Sequence, residues 1–301
     1  MNRGAEGDGP DGPAVRLMRL RYPGVCESCQ IKLPAGTTAW YDSSRRKVRC
    51  QVCSEKRIAP PPVSRGTAGA SAAREYERLA QRHHRKVRAQ IAADLRWREQ
   101  VKRDHPVLGR LAAAITVKPT AGPEPRYVAA WRAGADGERR VGVRLDGWAQ
   151  ATGGIVLHDR RIPPTKANID HIALNSEGVW VIDAKEYKGM VNFSGGILSR
   201  AELRVDGRVK THLADGVWWQ MERVAAVLDE ASAGHSRPPV CGVLCFVGAE
   251  WPLLGGTFTV NGVTVAWPAA TVRMLTPKGG QYDTAELQRW ARILAKALPP
   301  A

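Results

Sequence analysis

The 301-residue sequence is poor in acidic residues and has no N-terminal apolar segment of the kind that directs secretion. Asp and Glu total 29 against 45 Lys and Arg, which gives a formal net charge of +16 at pH 7. The first twelve residues are rich in Gly and acids, so we expect a cytoplasmic protein. An uncharged stretch, Trp251 to Val272, contains several Pro and Gly residues. This stretch predicts two strands joined by a turn rather than a bilayer-spanning helix.

The overall composition is that of a globular protein. A hydrophobic fraction of 44% with 25% charged residues excludes a wholly disordered or a collagen-like chain. An excess of sixteen positive charges is not needed for folding. It predicts a polyanionic partner, which is nucleic acid or, as the alternative, an anionic membrane surface.

Composition changes along the chain predict four segments. They are a disordered tail at 1–13, a four-cysteine module at 14–57, a Pro-rich linker with a basic helix at 58–125, and an α/β domain at 126–301. Apolar residues three and four apart predict the basic helix over about 69–104, and His105-Pro106 should end it.

The C-terminal segment alternates helical and strand patterns, which predicts a mixed sheet flanked by helices. The expected helices contain Glu138 to Trp148, Asp215 to Ala233 and Thr284 to Leu298. The expected strands are Gly154 to Leu157, Ile169 to Leu174, Val179 to Ala184, a hairpin within Ile197 to Val209, Val240 to Val247, and strands around Phe258 and Val263. Trp218 and Trp219 are expected to lie in the core.

Four of the six cysteines form two C-x2-C pairs separated by twenty residues: Cys26, Cys29, Cys50 and Cys53. A two-residue gap allows a tight turn to direct two thiolates at one tetrahedral ion, and two such turns complete a zinc site. Two disulfides are the alternative, but disulfides are typical of secreted proteins. The spacing therefore favours a zinc ribbon-like module.

Zinc bound by four thiolates would be structural, because no ligand position is left for a substrate. Residues 14–57 contain ten Lys or Arg and three Asp or Glu, so the module remains basic after four thiolates and Zn²⁺ add a charge of −2. This charge is compatible with binding to nucleic acid and equally with docking to a protein.

Two apolar strands carry Asp170 near the start of the first and Asp183 and Lys185 near the end of the second. In a hairpin these two ends are adjacent, and residues two apart on a strand share a face. Two carboxylates are suitable ligands for Mg²⁺ or Mn²⁺. A lysine beside the ion would orient the attacking water and neutralise charge on a phosphate. Solvated turn carboxylates are the alternative interpretation of the same pattern.

Five segments together resemble one known family. They are Gly134 to Arg139, Val156 to Pro163, Ile169 to Ile172, Gly178 to Lys185, and Gly189. In this order and spacing, over about residues 128 to 250, the sequence resembles the NERD (nuclease-related) domain. Similarity places that domain in the PD-(D/E)xK nuclease superfamily, which implies a restriction-endonuclease-like fold.

The resemblance also implies roles for individual residues. Glu138 corresponds to a helix carboxylate, Asp170 and Asp183 to metal ligands, and Lys185 to the catalytic lysine. Gln220 lies in the helix where the family has a glutamine and would support the site or the substrate. Many NERD sequences have Glu at the position of Asp183, and the shorter side chain changes the reach toward a metal.

These observations predict a Mg²⁺- or Mn²⁺-dependent nuclease that hydrolyses phosphodiester bonds in DNA. The zinc module and the basic helix would strengthen its hold on the polymer. The alternative is a catalytically inactive nucleic-acid-binding or adaptor protein that keeps the same fold.

Overall fold

The computed structural model describes residues 15–43, 45–58, 63–104, 122–195, 201–232, 237–252 and 256–301. The chain divides into two compact units, residues 1–62 and residues 63–301. The predicted tail at 1–13, the Pro-rich residues 59–62 and the predicted helix end at His105-Pro106 lie outside the described residues.

The first unit is a small β-structure around the cysteines. Its strands are β1 (Val15–Arg19), β2 (Gly24–Val25), β3 (Lys32–Leu33), β4 (Thr38–Asp42) and β5 (Lys47–Cys50), followed by helix α1 (Gln51–Ile58). Strand β4 pairs antiparallel with β1 on one side and with β5 on the other, whereas β2 and β3 form a separate ribbon. A core of Leu20, Cys26, Leu33 and Ala39 supports this unit. The expected small module around the four cysteines is confirmed.

The second unit is a mixed α/β structure. Its helices are α2 (Ala70–Asp104), α3 (Arg126–Thr152), α4 (His212–Ser232), α5 (Pro268–Leu275) and α6 (Thr284–Ala297). Its strands are β6 (Ile155–Arg161), β7 (Asn168–Asn175), β8 (Gly178–Glu186), β9 (Val191–Ser194), β10 (Glu202–Val205), β11 (Arg208–Val209), β12 (Val240–Val247), β13 (Phe258–Val260) and β14 (Val263–Ala266).

Six strands form the central sheet in the order β13-β14-β12-β8-β7-β6. Strands β6, β7 and β8 are antiparallel neighbours, whereas β12 runs parallel to both β8 and β14. A separate three-stranded sheet has the order β11-β10-β9. The predicted mixed sheet flanked by helices, preceded by a long helix and a small cysteine module, is confirmed.

Helices cover both faces of the central sheet. Val141, Leu145 and Trp148 of α3 belong to one core cluster with Ile182 and Val243 of the sheet. Helices α4 and α6 supply the cluster on the other face, where their apolar residues belong to one core with Ile172 and Leu174 of β7 and Val179 and Val181 of β8. Within the described parts of the chain, no helix is long and apolar enough to span a bilayer.

The β7–β8 hairpin is closed by the side chain of Asn175. Its Oδ1 accepts hydrogen bonds from the N–H groups of Glu177 and Gly178, each at 3.0 Å, which fixes a two-residue loop. Asn175 pairs with Gly178 and His171 with Ile182, so the register brings the start of β7 beside the end of β8. The hairpin predicted from two apolar strands and a polar turn is confirmed.

A buried carboxylate attaches the start of α2 to the sheet. Asp159 accepts hydrogen bonds from the N–H and Oγ–H of Ser71, at 2.6 and 2.7 Å, and from the side-chain amide of Asn168 at 2.8 Å. Helix α2 begins within one residue of the predicted position.

The region predicted as two strands also contains a helix. The strands at Phe258 and Val263 are present, but Pro268–Leu275 is helical. Proline at the first helical position is favourable there, because its fixed φ suits a helix and its missing N–H has no partner in the first turn.

The expectation that both tryptophans of α4 lie in the core is wrong for Trp218. Trp218 is 46% exposed, whereas Trp219 packs partly buried against the core. The two are neighbours on a helix and point about 100° apart, so only one of them can face the sheet.

Candidate active site and cysteine centre

The register of β7 and β8 brings the predicted acidic residues together at one end of the hairpin. His171 is paired with Ile182, and Asp170 and Asp183 are the adjacent residues on the two strands, close enough that the charge of Asp183 raises the pKa of Asp170. The Asp170 Oδ2 accepts a hydrogen bond from the Ala184 N–H at 2.8 Å. Asp170 is thus fixed against the strand that carries Asp183 and Lys185.

Lys185 forms an ion pair with Asp183 on the same strand. The Lys185 Nζ lies 2.7 Å from the Asp183 Oδ2, and the lysine side chain remains 31% exposed. Burial lowers the pKa of Lys185, but the negative charges of Asp183 and Asp170 outweigh it and raise the pKa above its usual value. Lys185 is therefore protonated at neutral pH.

Asp170 is nearly inaccessible to solvent, with 6% exposure. Burial and the neighbouring charge of Asp183 raise the pKa of Asp170 to about 7, although the charge of Lys185 and the hydrogen bond from Ala184 act in the opposite direction. A cation beside this carboxyl group would favour its ionised form and lower its pKa.

Helix α3 brings a third carboxyl group, that of Glu138, to this end of the sheet. At Gly137 an added Cβ would lie 3.2 Å from the Cβ of Glu186, so the helix approaches β8 closely at this point. Glu138 is 9% exposed and its Oε2 has no hydrogen-bond partner within the described residues. Burial, followed by the charges of Asp170 and Asp159, raises the pKa of Glu138 to about 9.

Gln220 approaches the site from the other face of the sheet, on α4. Its Nε2 donates a hydrogen bond to the Asn168 carbonyl at 3.4 Å, two residues before Asp170. Its Oε1 is buried and accepts no hydrogen bond from the residues that the structure describes. The five predicted site residues therefore come from β7, β8, α3 and α4.

The oxygen atoms at this end of the sheet suit a hard divalent cation. The buried oxygens of Glu138 and Gln220 lack hydrogen-bond partners in the part of the chain that the structure describes, and Asp170 and Asp183 repel each other. Mg²⁺ and Mn²⁺ take oxygen ligands and retain some water, so two carboxylates are sufficient protein ligands. The three carboxyl groups do not form a cluster with all ligand atoms within 4.8 Å of one another; in the described ranges only the four cysteines do.

A buried histidine pair lies close to the site. The Nδ1 atoms of His158 and His171 are 2.9 Å apart, and the His158 Nε2 lies 3.1 Å from the Asp146 Oδ1. Burial and the neighbouring His158 lower the pKa of His171 well below its usual value. The histidine side chains thus join α3 to β6 and β7.

Sequence reasoning did not identify Asp159 or Asp146. Asp159 has a positive φ of 49°, and its charge contributes to the raised pKa values of Glu138 and Asp170. Asp146 is brought to His158 by one turn of α3 packing on β6. Both contacts join residues on different elements, and no spacing pattern in the sequence indicates them.

The four cysteines form a compact cluster in the first unit. Their sulfur atoms all lie within 4.8 Å of one another, and those of Cys29 and Cys50 are 3.8 Å apart. A disulfide bond is about 2.05 Å long, so these thiols are free. Zinc–sulfur bonds of about 2.3 Å place the corners of a tetrahedron about 3.8 Å apart. The four cysteines can therefore hold a metal ion such as zinc.

Backbone amides are directed at the same sulfur atoms. The Cys50 N–H donates to the Cys26 Sγ, and the Cys53 N–H to the Cys50 Sγ, each at 3.4 Å. Burial raises the pKa of Cys26, but hydrogen bonds from Cys29, Cys50 and Ser28 lower it to about 6. An environment that favours a thiolate is what a metal–cysteine bond requires.

A comparison with protein families identifies part of the second unit. Residues 133–247 match the model of the NERD family, the nuclease-related domain. No curated protein and no solved structure matches the chain. The matched range includes all five candidate site residues, whereas the four-cysteine cluster lies outside it. The resemblance drawn from the sequence motifs is confirmed.

Proposed function

We propose, from the nuclease-related domain at residues 133–247, that this protein hydrolyses phosphodiester bonds in DNA with the help of Mg²⁺ or Mn²⁺. The observation that supports the proposal most strongly is the pairing of β7 with β8. His171 pairs with Ile182, the neighbours of Asp170 and Asp183, and the Lys185 amine lies 2.7 Å from the Asp183 carboxylate.

Asp170 and Asp183 would hold the cation. When bound, such a cation neutralises phosphate charge and lowers the pKa of coordinated water. Asp170 is held in place by the Ala184 N–H, and Asp183 by Lys185. Two oxygen-donating side chains are thus fixed by the fold before any ligand arrives, which reduces the cost of binding.

Lys185 would orient the attacking water and stabilise negative charge on the phosphate. Its raised pKa keeps the amine protonated, so it acts as a hydrogen-bond donor and not as a base. Glu138 retains its proton at pH 7 because its pKa lies near 9, and it would complete the acidic cluster. Gln220, whose buried Oε1 has no hydrogen-bond partner among the described residues, would support the site or the substrate.

Cleavage of supercoiled plasmid with Mn²⁺ tests this function. We expect the wild-type protein to nick or linearise the plasmid. Asp183→Asn and Lys185→Met should cleave it at least ~100-fold more slowly, because each removes a charge that acts on the transition state. Asp229→Asn is the matched control, because Asp229 is an exposed acid of α4 that pairs with Arg237. Equal cleavage by all four proteins, or by none, would contradict the proposal.

A DNA-binding or adaptor protein without catalysis is the second candidate. One observation favours it: the carboxyl groups at the sheet end are less tightly grouped than the four sulfur atoms. Binding of a labelled duplex without added Mg²⁺ or Mn²⁺, with affinity that falls steeply with salt and with no cleavage on adding Mn²⁺, would support this candidate.

For the first unit, we propose that Cys26, Cys29, Cys50 and Cys53 bind one structural zinc ion. Their mutual distances and the amide hydrogen bonds to sulfur support this assignment. Elemental analysis of purified protein should find one zinc per chain, and Cys26→Ser should lose it, whereas Cys241→Ser should retain it. Equal zinc in wild type and Cys26→Ser would contradict the assignment.

A further inference from the structure

Tyr187 directly follows β8, the strand that carries Asp183 and Lys185. Residues two apart along a strand point to the same side, so Asp183, Lys185 and Tyr187 follow one line. The Tyr187 N–H donates to the Val247 carbonyl at 3.1 Å, which extends the pairing with β12. The Tyr187 ring packs edge-on against Phe246, with the centroids 5.7 Å apart. Tyr187 is therefore a fixed aromatic surface next to the candidate site.

Lys210 lies over this ring. Its Nζ is 5.7 Å from the Tyr187 centroid, within the range of a cation–π contact. The Lys210 N–H donates to the Leu203 carbonyl at 2.8 Å, and its carbonyl accepts from the Leu213 N–H at 2.9 Å. These bonds fix the backbone of Lys210 between β11 and α4, the helix that carries Gln220.

The Lys210 amine has no carboxylate within ion-pair distance among the described residues. It differs in this from Lys185, whose positive charge is already matched by Asp183. An ammonium group that rests on an aromatic face, on a half-buried lysine without an acidic partner in the described ranges, is suited to an anionic ligand.

The distance from Asp183 to Tyr187 indicates what kind of anion Lys210 would bind. Four residues of strand, from Asp183 to Tyr187, span about 13 Å at about 3.3 Å per residue. A DNA strand carries one phosphate per about 3.4 Å of helix axis. Tyr187, with the Lys210 amine over its ring, is therefore about two to four phosphates along a strand from a phosphate bound beside Asp183.

We propose that Lys210, held on the ring of Tyr187, binds a second backbone phosphate of the strand that is cut. This inference rests on the proposed nuclease function and adds the substrate class: oligonucleotides longer than a dinucleotide. Lys210 is a positioning residue, because it contacts the substrate at a distance from the reacting phosphate. A dinucleotide cannot reach it.

Steady-state cleavage of a dinucleotide and of a single-stranded 12-mer with Mn²⁺ tests this proposal. We expect Lys210→Met to raise KM for the 12-mer by ~3-fold to 10-fold with kcat unchanged, since one phosphate contact is lost. The slope of log(kcat/KM) against log salt should decrease by about 0.7 for that substrate. Both constants for the dinucleotide should stay at the wild-type values, and Lys210→Arg should restore KM for the 12-mer.

Two comparisons separate this role from a structural one. Lys278→Met is the matched control, since Lys278 is exposed near the β7–β8 turn, at the opposite end of the hairpin, and should behave as wild type. If Lys210→Met changes KM equally for both substrates, or for neither, while the wild type cleaves both, the Lys210 assignment is wrong and the nuclease proposal stands. If the wild type cleaves neither substrate, the nuclease proposal fails and this inference fails with it.

Discussion

Replacing Asp170 with Asn should stabilise the protein when no Mg²⁺ or Mn²⁺ is present. Burial and the charge of Asp183 raise the pKa of Asp170 from 3.8 to about 7. Between these two pH values the unfolded chain releases a proton that the folded protein retains. The free energy of unfolding therefore falls as pH rises from about 4 to 7, and it stays at the lower level above pH 7.

The size of this effect follows from the pKa values. One pKa unit corresponds to about 1.36 kcal/mol, so a rise of about three units costs about 4 kcal/mol above pH 7. Asn keeps an oxygen for the Ala184 N–H, which Asp170 binds at 2.8 Å, but a neutral acceptor loses about 1 kcal/mol relative to a carboxylate. We expect Asp170→Asn to be more stable by about 3 kcal/mol at pH 8 and by less than about 1 kcal/mol at pH 5.

Urea unfolding at pH 5 and pH 8, followed by circular dichroism, measures this difference. The protein should keep its zinc, and the buffer should contain no Mg²⁺ or Mn²⁺. Asp229→Asn serves as the control, because Asp229 is an exposed acid for which no such gain is expected. A variant Asp170→Asn that is less stable than the wild type at pH 8, or that shows the same difference at both pH values, would refute the reasoning.

Two further substitutions test how the fold supports the site. Arg160 is fully buried and donates hydrogen bonds to three backbone carbonyls at 2.7 to 3.1 Å, so Arg160→Leu should lower the free energy of unfolding by at least about 3 kcal/mol in urea. A loss below about 1 kcal/mol would show that water replaces these bonds. Gly178 has a φ of +153°, and an added Cβ would lie 2.6 Å from the Pro239 carbonyl oxygen. Gly178→Ala should therefore lower the thermal midpoint by several degrees, and an unchanged midpoint would contradict the close approach of these two segments.

The hairpin that carries the site was predictable because its signals are local. Two apolar strands separated by Asn-Ser-Glu-Gly specify both the turn and the faces, and the register then follows from the turn. That register brings together the strand ends that carry Asp170 and Asp183. The four-cysteine cluster was predictable for a similar reason, since each C-x2-C pair is a local turn.

Contacts between distant elements were not predictable in the same way. The parallel pairing of β8 with β12 joins residues about sixty positions apart, and no turn sequence specifies it. The contact of His158 with Asp146, and the attachment of Ser71 to Asp159, depend on how α3 and α2 pack on the sheet. Such packing is decided by tertiary structure rather than by the period of the sequence.

The role assigned to Glu138 also depends on packing. The sequence predicts that Glu138 lies on a helix. Its raised pKa, however, arises from burial and from the charges of Asp170 and Asp159, which lie on two other elements. Helical spacing alone would have allowed a solvated carboxylate at this position. Because α3 approaches β8 closely at Gly137, the neighbouring Glu138 is buried instead.

Isothermal titration of the zinc-loaded protein with Mn²⁺ tests the central claim most directly. If the ends of β7 and β8 form a cation site, the wild type should take up Mn²⁺ beyond its zinc, and Asp183→Asn should show no comparable heat, while Asp229→Asn should bind as the wild type does. Absence of binding by the wild type, or the same binding by Asp183→Asn, would show that the two carboxylates do not share a cation.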